Sequence, residues 1–233
     1  AIIAIDSHGV VHADRGDLTD GKREIALSSA GVKSAGLGDV LDAPLHEIIA
    51  AARPTALLGT SGQAGAFTEQ AIRAAAAVAV APLIWPLSNP TSCAEATPKD
   101  ALAWSDGRAI VATGSPFAPV HLAGESVSIS QANNVYVFPG VGLAAIAGRL
   151  TSIPDEAFIV AADTLASLSP ASTADRGALY PPLASLRAVS RTIAVALLTE
   201  GAKSGWAAVE PEKIVEYVEA AMWDPAYRAY VPA

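Results

Sequence analysis

Three short polar segments carry most of the residues in this chain that could recognise a ligand: Leu87-Ser-Asn-Pro-Thr-Ser92, Ala112-Thr-Gly-Ser-Pro-Phe117 and Gln131-Ala-Asn-Asn134. Each follows an apolar run, which is where an open α/β sheet places its ligand-binding loops. An Asn amide both donates and accepts hydrogen bonds. Asn89, Asn133 and Asn134, converging on one crevice, would therefore orient a carboxylate, an amide or a ribose without adding charge. Taken singly, Asn-Pro and Asn-Asn are turn formers. Three such loops in one stretch point instead to a site.

The remaining reactive side chains offer less. Asp6 closes an apolar run, where a dinucleotide fold sets an acidic residue against the adenosine ribose, but no Gly-rich loop precedes it. In isolation it reads equally as a turn residue. Gly62-Gln-Ala-Gly65 follows a different strand and lacks the spacing of a pyrophosphate loop. Cys93 has no His close by in sequence and reads as an inert small side chain. His8, His12, His46 and His121 lack metal-binding spacing, so no metal site is assigned. Lys22, Lys33, Lys99, Lys203 and Lys213 fall in polar loops or on helix faces, as solvated lysines do. No carboxylate pair, Lys/Tyr pair or Ser/His/Asp order marks a catalytic centre, and none is assigned.

The elements that must hold the three loops follow from periodicity. Ala1–Ile5 reads as a buried strand running into the turn Asp6-Ser-His-Gly9, and the charged stretch from Asp14 to Gly38 reads as loop. Leu45–Arg53 has helical spacing closed by Pro54. Thr55–Gly59, Pro82–Leu87 and Ala109–Thr113 are strands. Between them lie a helix with Thr68 and Glu69 in its first turn and one starting near Thr97-Pro98-Lys99-Asp100. Such alternation predicts a doubly wound parallel sheet. From Asn133 the pattern turns helical, over Val135–Leu150, Asp155–Leu168, Leu183–Gly201 and Pro211–Met222. These helices form a layer packed either on the sheet or against a partner subunit. The fold class is α/β, an incomplete Rossmann-like doubly wound parallel sheet with additional C-terminal helices. Residues 1–150 are read as a partial dinucleotide-binding domain and 151–233 as its C-terminal helical portion.

Composition bounds the partners. With 233 residues, 52% of them hydrophobic, the chain can bury a real core. A net charge of −8 opposes attraction to phosphate backbones and anionic bilayers, so neither nucleic acid nor membrane is expected as a partner. The apolar runs are too interrupted for a span of ~20 residues. One cysteine fits a reducing, cytoplasmic compartment. The sole methionine is Met222, so the chain reads as a piece of something longer.

Taken together, Leu58-Gly-Thr-Ser-Gly-Gln-Ala-Gly-Ala-Phe-Thr68, Pro86-Leu-Ser-Asn-Pro-Thr-Ser92 with Glu95-Ala-Thr-Pro98, Ala112-Thr-Gly-Ser-Pro-Phe117 with Pro119-Val120, and Gln131-Ala-Asn-Asn134 with Phe138-Pro-Gly140 resemble the malic enzymes in order and spacing. Leu179-Tyr-Pro-Pro-Leu183, Val189-Ser190 and Trp223-Asp-Pro-Ala-Tyr227 extend the resemblance over nearly the whole chain. It implies oxidation of L-malate by NAD or NADP and decarboxylation to pyruvate, with Mg²⁺ or Mn²⁺. It also implies a homo-oligomer and a separate N-terminal half holding the acid-base Tyr and Lys, the metal carboxylates, the first strand and the Gly-rich loop. By the same resemblance Asp6 meets the adenosine ribose with Ser7 beside it, and Thr60, Ser61 and Gly62 line the cofactor. Asn89 and Asn134 contact malate and the nicotinamide ribose, with Ser88 and Asn133 as neighbours. Ser7, Lys22 and Arg23 would suit a 2′-phosphate, leaving the choice of cofactor open. Malolactic enzymes share Gln131-Ala-Asn-Asn134 but give lactate; Ser115-Pro-Phe117 favours the malic enzymes. A stand-alone α/β binding or regulatory module is the reading from another class.

Overall fold

The computed structural model describes residues 2–122, 124–170, 178–224 and 226. Ala1, Pro225 and Tyr227, which belong to segments singled out above, lie outside the described residues. Contacts divide the chain into two units, Ala1–Ala132 and Asn133–Ala233.

The first unit is built on a four-stranded parallel sheet of β3 (Ala56–Gly59), β4 (Leu83–Pro86), β5 (Ile110–Thr113) and β8 (Ser130–Gln131), in that spatial order. Register explains its core. Leu57 pairs with Ile84, and Ile84 with Val111, so three branched side chains share one face. They are buried with Ile72, Ala75, Ala101 and Leu102 of helices α4 (Glu69–Val78) and α5 (Pro98–Trp104). Both helices start as their sequences specify. Thr68 Oγ1 accepts the Ala71 N–H at 3.3 Å, and Thr97 Oγ1 accepts the Asp100 N–H at 3.1 Å with Pro98 in the first turn. Helix α3 (Leu45–Ala52) ends where Arg53 turns left-handed ahead of Pro54.

The N-terminal segment departs from expectation. The buried strand expected over Ala1–Ile5 is not found among its described residues, 2–5, which add no strand to the parallel sheet. Instead β1 (Ile5–Asp6) and β2 (Gly9–Val10) make a two-residue antiparallel hairpin, with Ile2 86% and Ile5 41% exposed. The reversal depends on Gly9, whose φ is +96° and where a Cβ would stand 2.2 Å from the Leu41 carbonyl oxygen. Burial is taken over by Val10, with Val32, Leu37 and Ile48. The stretch from Asp14 to Gly38 is likewise not all loop: it holds two helices, α1 (Asp20–Ile25) and α2 (Ser29–Ser34), the second capped by Ser28. A second hairpin, β6 (Val120–Leu122) with β7 (Glu125–Val127), precedes β8.

The second unit is helical, as its periodicity predicts. After a 3₁₀ turn, Asn134–Tyr136, come α6 (Phe138–Ala147), α7 (Asp155–Ser167), α8 (Leu186–Ser204) and α9 (Ile214–Ala221). Ile193, Ala194, Leu197 and Leu198 of α8 are buried with Val141 and Ala144 of α6, Ala161 of α7 and Val218 of α9. Gly140 permits the close approach of α6 to α8, since a Cβ there would lie 2.8 Å from Ile193.

Candidate functional site

All four parallel strands run the same way, so Gly59, Pro86, Thr113 and Gln131 end at one edge of the sheet and the loops leaving them share that edge. The loops are laced together. The Leu87 N–H donates to the Gly59 carbonyl at 2.8 Å, the Gly114 N–H to the Pro86 carbonyl at 3.1 Å and the Ala132 N–H to the Thr113 carbonyl at 2.9 Å. Gln131 Nε2 donates to the Gly114 carbonyl at 3.0 Å. Gly114 has no room for a side chain, because a Cβ would sit 1.9 Å from the Leu87 carbonyl oxygen.

Asn89 is exposed at the end of β4. Its Oδ1 accepts from Ser115 Oγ at 2.5 Å, and its Nδ2 lies 3.4 Å from the Leu87 carbonyl oxygen. An amide nitrogen carries two donors, so at least one remains for a ligand. Thr60, Ser61 and Gly62 are exposed on the neighbouring loop. Gly62 has φ +67° and open space where a Cβ would be. Beneath this loop lies a carboxylate that the sequence reading did not select. Glu95 is fully buried; its Oε1 accepts from Ser88 Oγ at 2.6 Å, from the Ser61 N–H at 2.8 Å and from Ser61 Oγ at 2.9 Å. Ser88 Oγ in turn accepts the Gly62 N–H at 2.8 Å. Burial pushes the Glu95 carboxyl up, yet hydrogen bonds from the Ser88 hydroxyl, its own backbone and Ser61 outweigh burial and hold it below the usual glutamate value. The signal available in the sequence was a lone glutamate between alanines, two residues before the capping Thr97.

Asp6 is engaged rather than free. Its Oδ1 accepts from Arg15 at 2.8 Å and from the His8 N–H at 2.9 Å; its Oδ2 accepts from Arg15 at 3.1 Å and from Lys22. Four donors occupy the roughly four acceptor positions of a carboxylate. The Arg15 guanidinium accordingly holds Asp6 far below the carboxylate range, against the effect of burial, with help from Lys22 and the His8 N–H. Arg15 also reaches Asp17 and lowers it to about 2. Ser7 is exposed beside this cluster, whereas Arg23 faces Asp20 at 4.0 Å. Of the basic residues considered for a 2′-phosphate, Lys22 alone contacts Asp6.

Asn133 and Asn134 belong to the second unit, Asn89 to the first. Asn133 Oδ1 accepts the Val135 N–H at 3.0 Å and so caps the 3₁₀ turn that Asn134, itself exposed, begins. Cys93 ends another 3₁₀ turn, Thr91–Cys93, as a half-buried thiol. Among the described residues no three His, Cys, Asp or Glu side chains are grouped as a metal would require. Among them, too, no helix is long and apolar enough to cross a membrane.

A parallel sheet whose strand-end loops present Asn, Ser, Thr and Gly at one edge is the architecture of a Rossmann-like dinucleotide-binding domain. Residues 1–202 match the family model described as malic enzyme, NAD binding domain, and the chain belongs to that family. It is 41% identical over 98% of its length to the NAD-dependent malic enzyme of Pseudomonas aeruginosa, and 40% identical, over the same share, to that of Sodalis glossinidius. It spans about two fifths of those relatives, 41% and 40% of their lengths. Crystal structures of the malic enzymes of Entamoeba histolytica and Pyrococcus horikoshii share the fold, with TM-scores of 0.71 and 0.65 at 20% and 22% identity, over 94% and 91% of this chain and 41% and 44% of theirs.

Proposed function

We propose that this chain is the cofactor-binding portion of an enzyme that oxidises L-malate with NAD and decarboxylates the product to pyruvate and CO₂. The observation that carries this is the 41% identity, over nearly the whole chain, to proteins named NAD-dependent malic enzyme. NAD, when bound, supplies the hydride acceptor for the malate C2–H bond. The chain's own residues bind and orient. Thr60, Ser61, Gly62 and Ser88 line the cofactor, Asn89 and Asn134 hydrogen-bond malate and the nicotinamide ribose, Asn133 fixes the turn that presents Asn134, and Asp6 with Ser7 stands at the adenosine ribose, where a ribose hydroxyl must displace one of the present Asp6 donors, Lys22 or Arg15. Neutral amides suit the task, since each can both donate to and accept from the oxygens of such ligands.

The proton acceptor for the malate hydroxyl and the ligands of Mg²⁺ or Mn²⁺ are assigned to the remainder of the enzyme, which we place in a cytoplasmic homo-oligomer. NAD is preferred to NADP on the names of the relatives, while Lys22 beside Asp6 leaves some capacity for a 2′-phosphate. The test is to incubate the complete enzyme with malate, metal and either cofactor and to follow reduced nicotinamide and pyruvate together. Equal yields of both, with NAD favoured, support the reading. Lactate without reduced cofactor would assign the chain to a malolactic enzyme, and no malate turnover would leave it a binding or regulatory module.

A further inference from the structure

Glu95 has no evident need to be a glutamate unless its charge is used. It is wholly buried, and among the described residues no Lys, Arg or His side chain pairs with it within 4.0 Å. A buried carboxylate without a cation is costly unless hydrogen bonds replace water. The donors that replace it come from two different loops: Ser61 from the loop after β3 and Ser88 from the loop after β4. The backbone around Glu95 fastens the same junction, since the Gly65 N–H donates to the Ala94 carbonyl at 3.2 Å and the Phe67 N–H to the Glu95 carbonyl at 2.9 Å. The strand end has been cleared for the carboxylate as well: a Cβ on Gly59 would lie 2.6 Å from it. One anion therefore sets how far apart the Thr60–Gly65 and Leu87–Ser92 loops stand, and it consumes both serine hydroxyl protons, turning Ser88 Oγ into the acceptor for Gly62.

We propose that Glu95 is a positioning residue for the cofactor: its carboxylate locks Ser61 and Ser88 together and so holds Gly62 and Asn89 in the arrangement that receives NAD. This deepens the cofactor-binding reading above and rests on it. Glu95 touches no substrate; it acts through the two serines. A purely structural role would lower stability without favouring one substrate over another. A positioning role raises KM for NAD specifically.

The experiment has two arms. In the complete enzyme, amide hydrogen exchange is compared between wild type and Glu95→Gln, with the sheet amides of Ile84 and Val111 as internal reference. In the complete enzyme, KM for NAD, KM for malate and kcat are measured for Glu95→Gln, Ser61→Ala and the double variant. We expect exchange at Ser61 and Gly62 to accelerate about 10-fold relative to the reference amides, and KM for NAD to rise about 10-fold with a smaller change in kcat. The double variant should be no worse than about the poorer single one, because both remove the same lock. If Glu95→Gln does not fold, Glu95→Asp, which keeps the charge but draws it back from both serines, provides the same exchange and KM readouts. Unchanged exchange at Gly62, or faster exchange with KM for NAD unmoved, would overturn the proposal. Absence of malate turnover by the wild-type enzyme would overturn the functional reading alone, while the exchange arm still decides whether the lock exists.

Discussion

The hydroxyl of Ser115, at the end of β5, donates to Oδ1 of Asn89, at the end of β4, across 2.5 Å. This contact fixes the amide as an acceptor inward and a donor outward, which is what an anionic substrate or a ribose oxygen requires of it. Asn89→Ala and Asn134→Ala should each lower kcat/KM for malate in the complete enzyme by about 10- to 100-fold, the cost of an unpaired polar partner. Ser115→Ala, which leaves the amide present but unfixed, should cost about 5-fold. Steady-state kinetics on folded variants decide; wild-type values for Asn89→Ala would reduce it to a turn former.

Gly114→Ala tests the spacing of the same strand ends. An added methyl would collide with the Leu87 carbonyl, so the Leu87–Ser92 loop must shift. Overpacking of this kind costs ~1 to 3 kcal/mol. Urea unfolding should show that loss, and a neutral substitution would mean that the loop is free to move.

The Arg15 cluster sets an acid dependence. Asp6 and Asp17 have folded pKa values below the unfolded value of about 3.9, with Asp17 at about 2. A depressed folded pKa binds protons less readily than the unfolded chain, so the contribution is complete above roughly pH 5 and is lost as pH falls through 3.9 toward the folded values. Arg15→Ala should therefore lower stability at pH 6 more than at pH 3. Unfolding curves at the two pH values check this, and equal losses at both would contradict it.

The isolated chain should bind NAD or NADP only at about millimolar concentration, near −4 kcal/mol, and should not reduce either with malate. The Gly62-Gln-Ala-Gly65 loop lacks the spacing of a pyrophosphate anchor, so the strand-end loops are expected to offer ribose and amide contacts without that cradle of backbone N–H groups. Calorimetry is the measurement. A micromolar constant would mean that the strand-end loops suffice by themselves.

Legibility in the sequence followed the strength of local signals. The strands ending at Gly59, Pro86 and Thr113 were readable because apolar runs end abruptly in Gly, Pro and Ser, and α4 and α5 because Thr68 and Thr97 cap them. The six-residue helices α1 and α2 were not, since Asp20–Ile25 is largely charged and too short to show a period. The N-terminal run read as a buried strand because Ile2, Ile3 and Ile5 are apolar; its reversal depends on Gly9 meeting Leu41, a contact 32 residues away that no local pattern encodes. Asn89, Ser61 and Gly62 could be placed on loops, but the partners that fix them, Ser115, Glu95 and Ser88, come from segments that follow other strands. Asp6 could be placed at a strand end, whereas its saturation by Arg15 and Lys22 is a tertiary fact.

Holding NAD for malate oxidation is the role we propose for these loops. Its most direct test is a parallel assay of NADH and pyruvate made from malate by the complete enzyme, wild type beside Asn89→Ala. The wild type should give equal amounts of the two products, and the variant a kcat/KM about 10- to 100-fold lower. Wild-type enzyme that forms neither product, or an Asn89→Ala enzyme that forms both at the wild-type rate, would contradict that role.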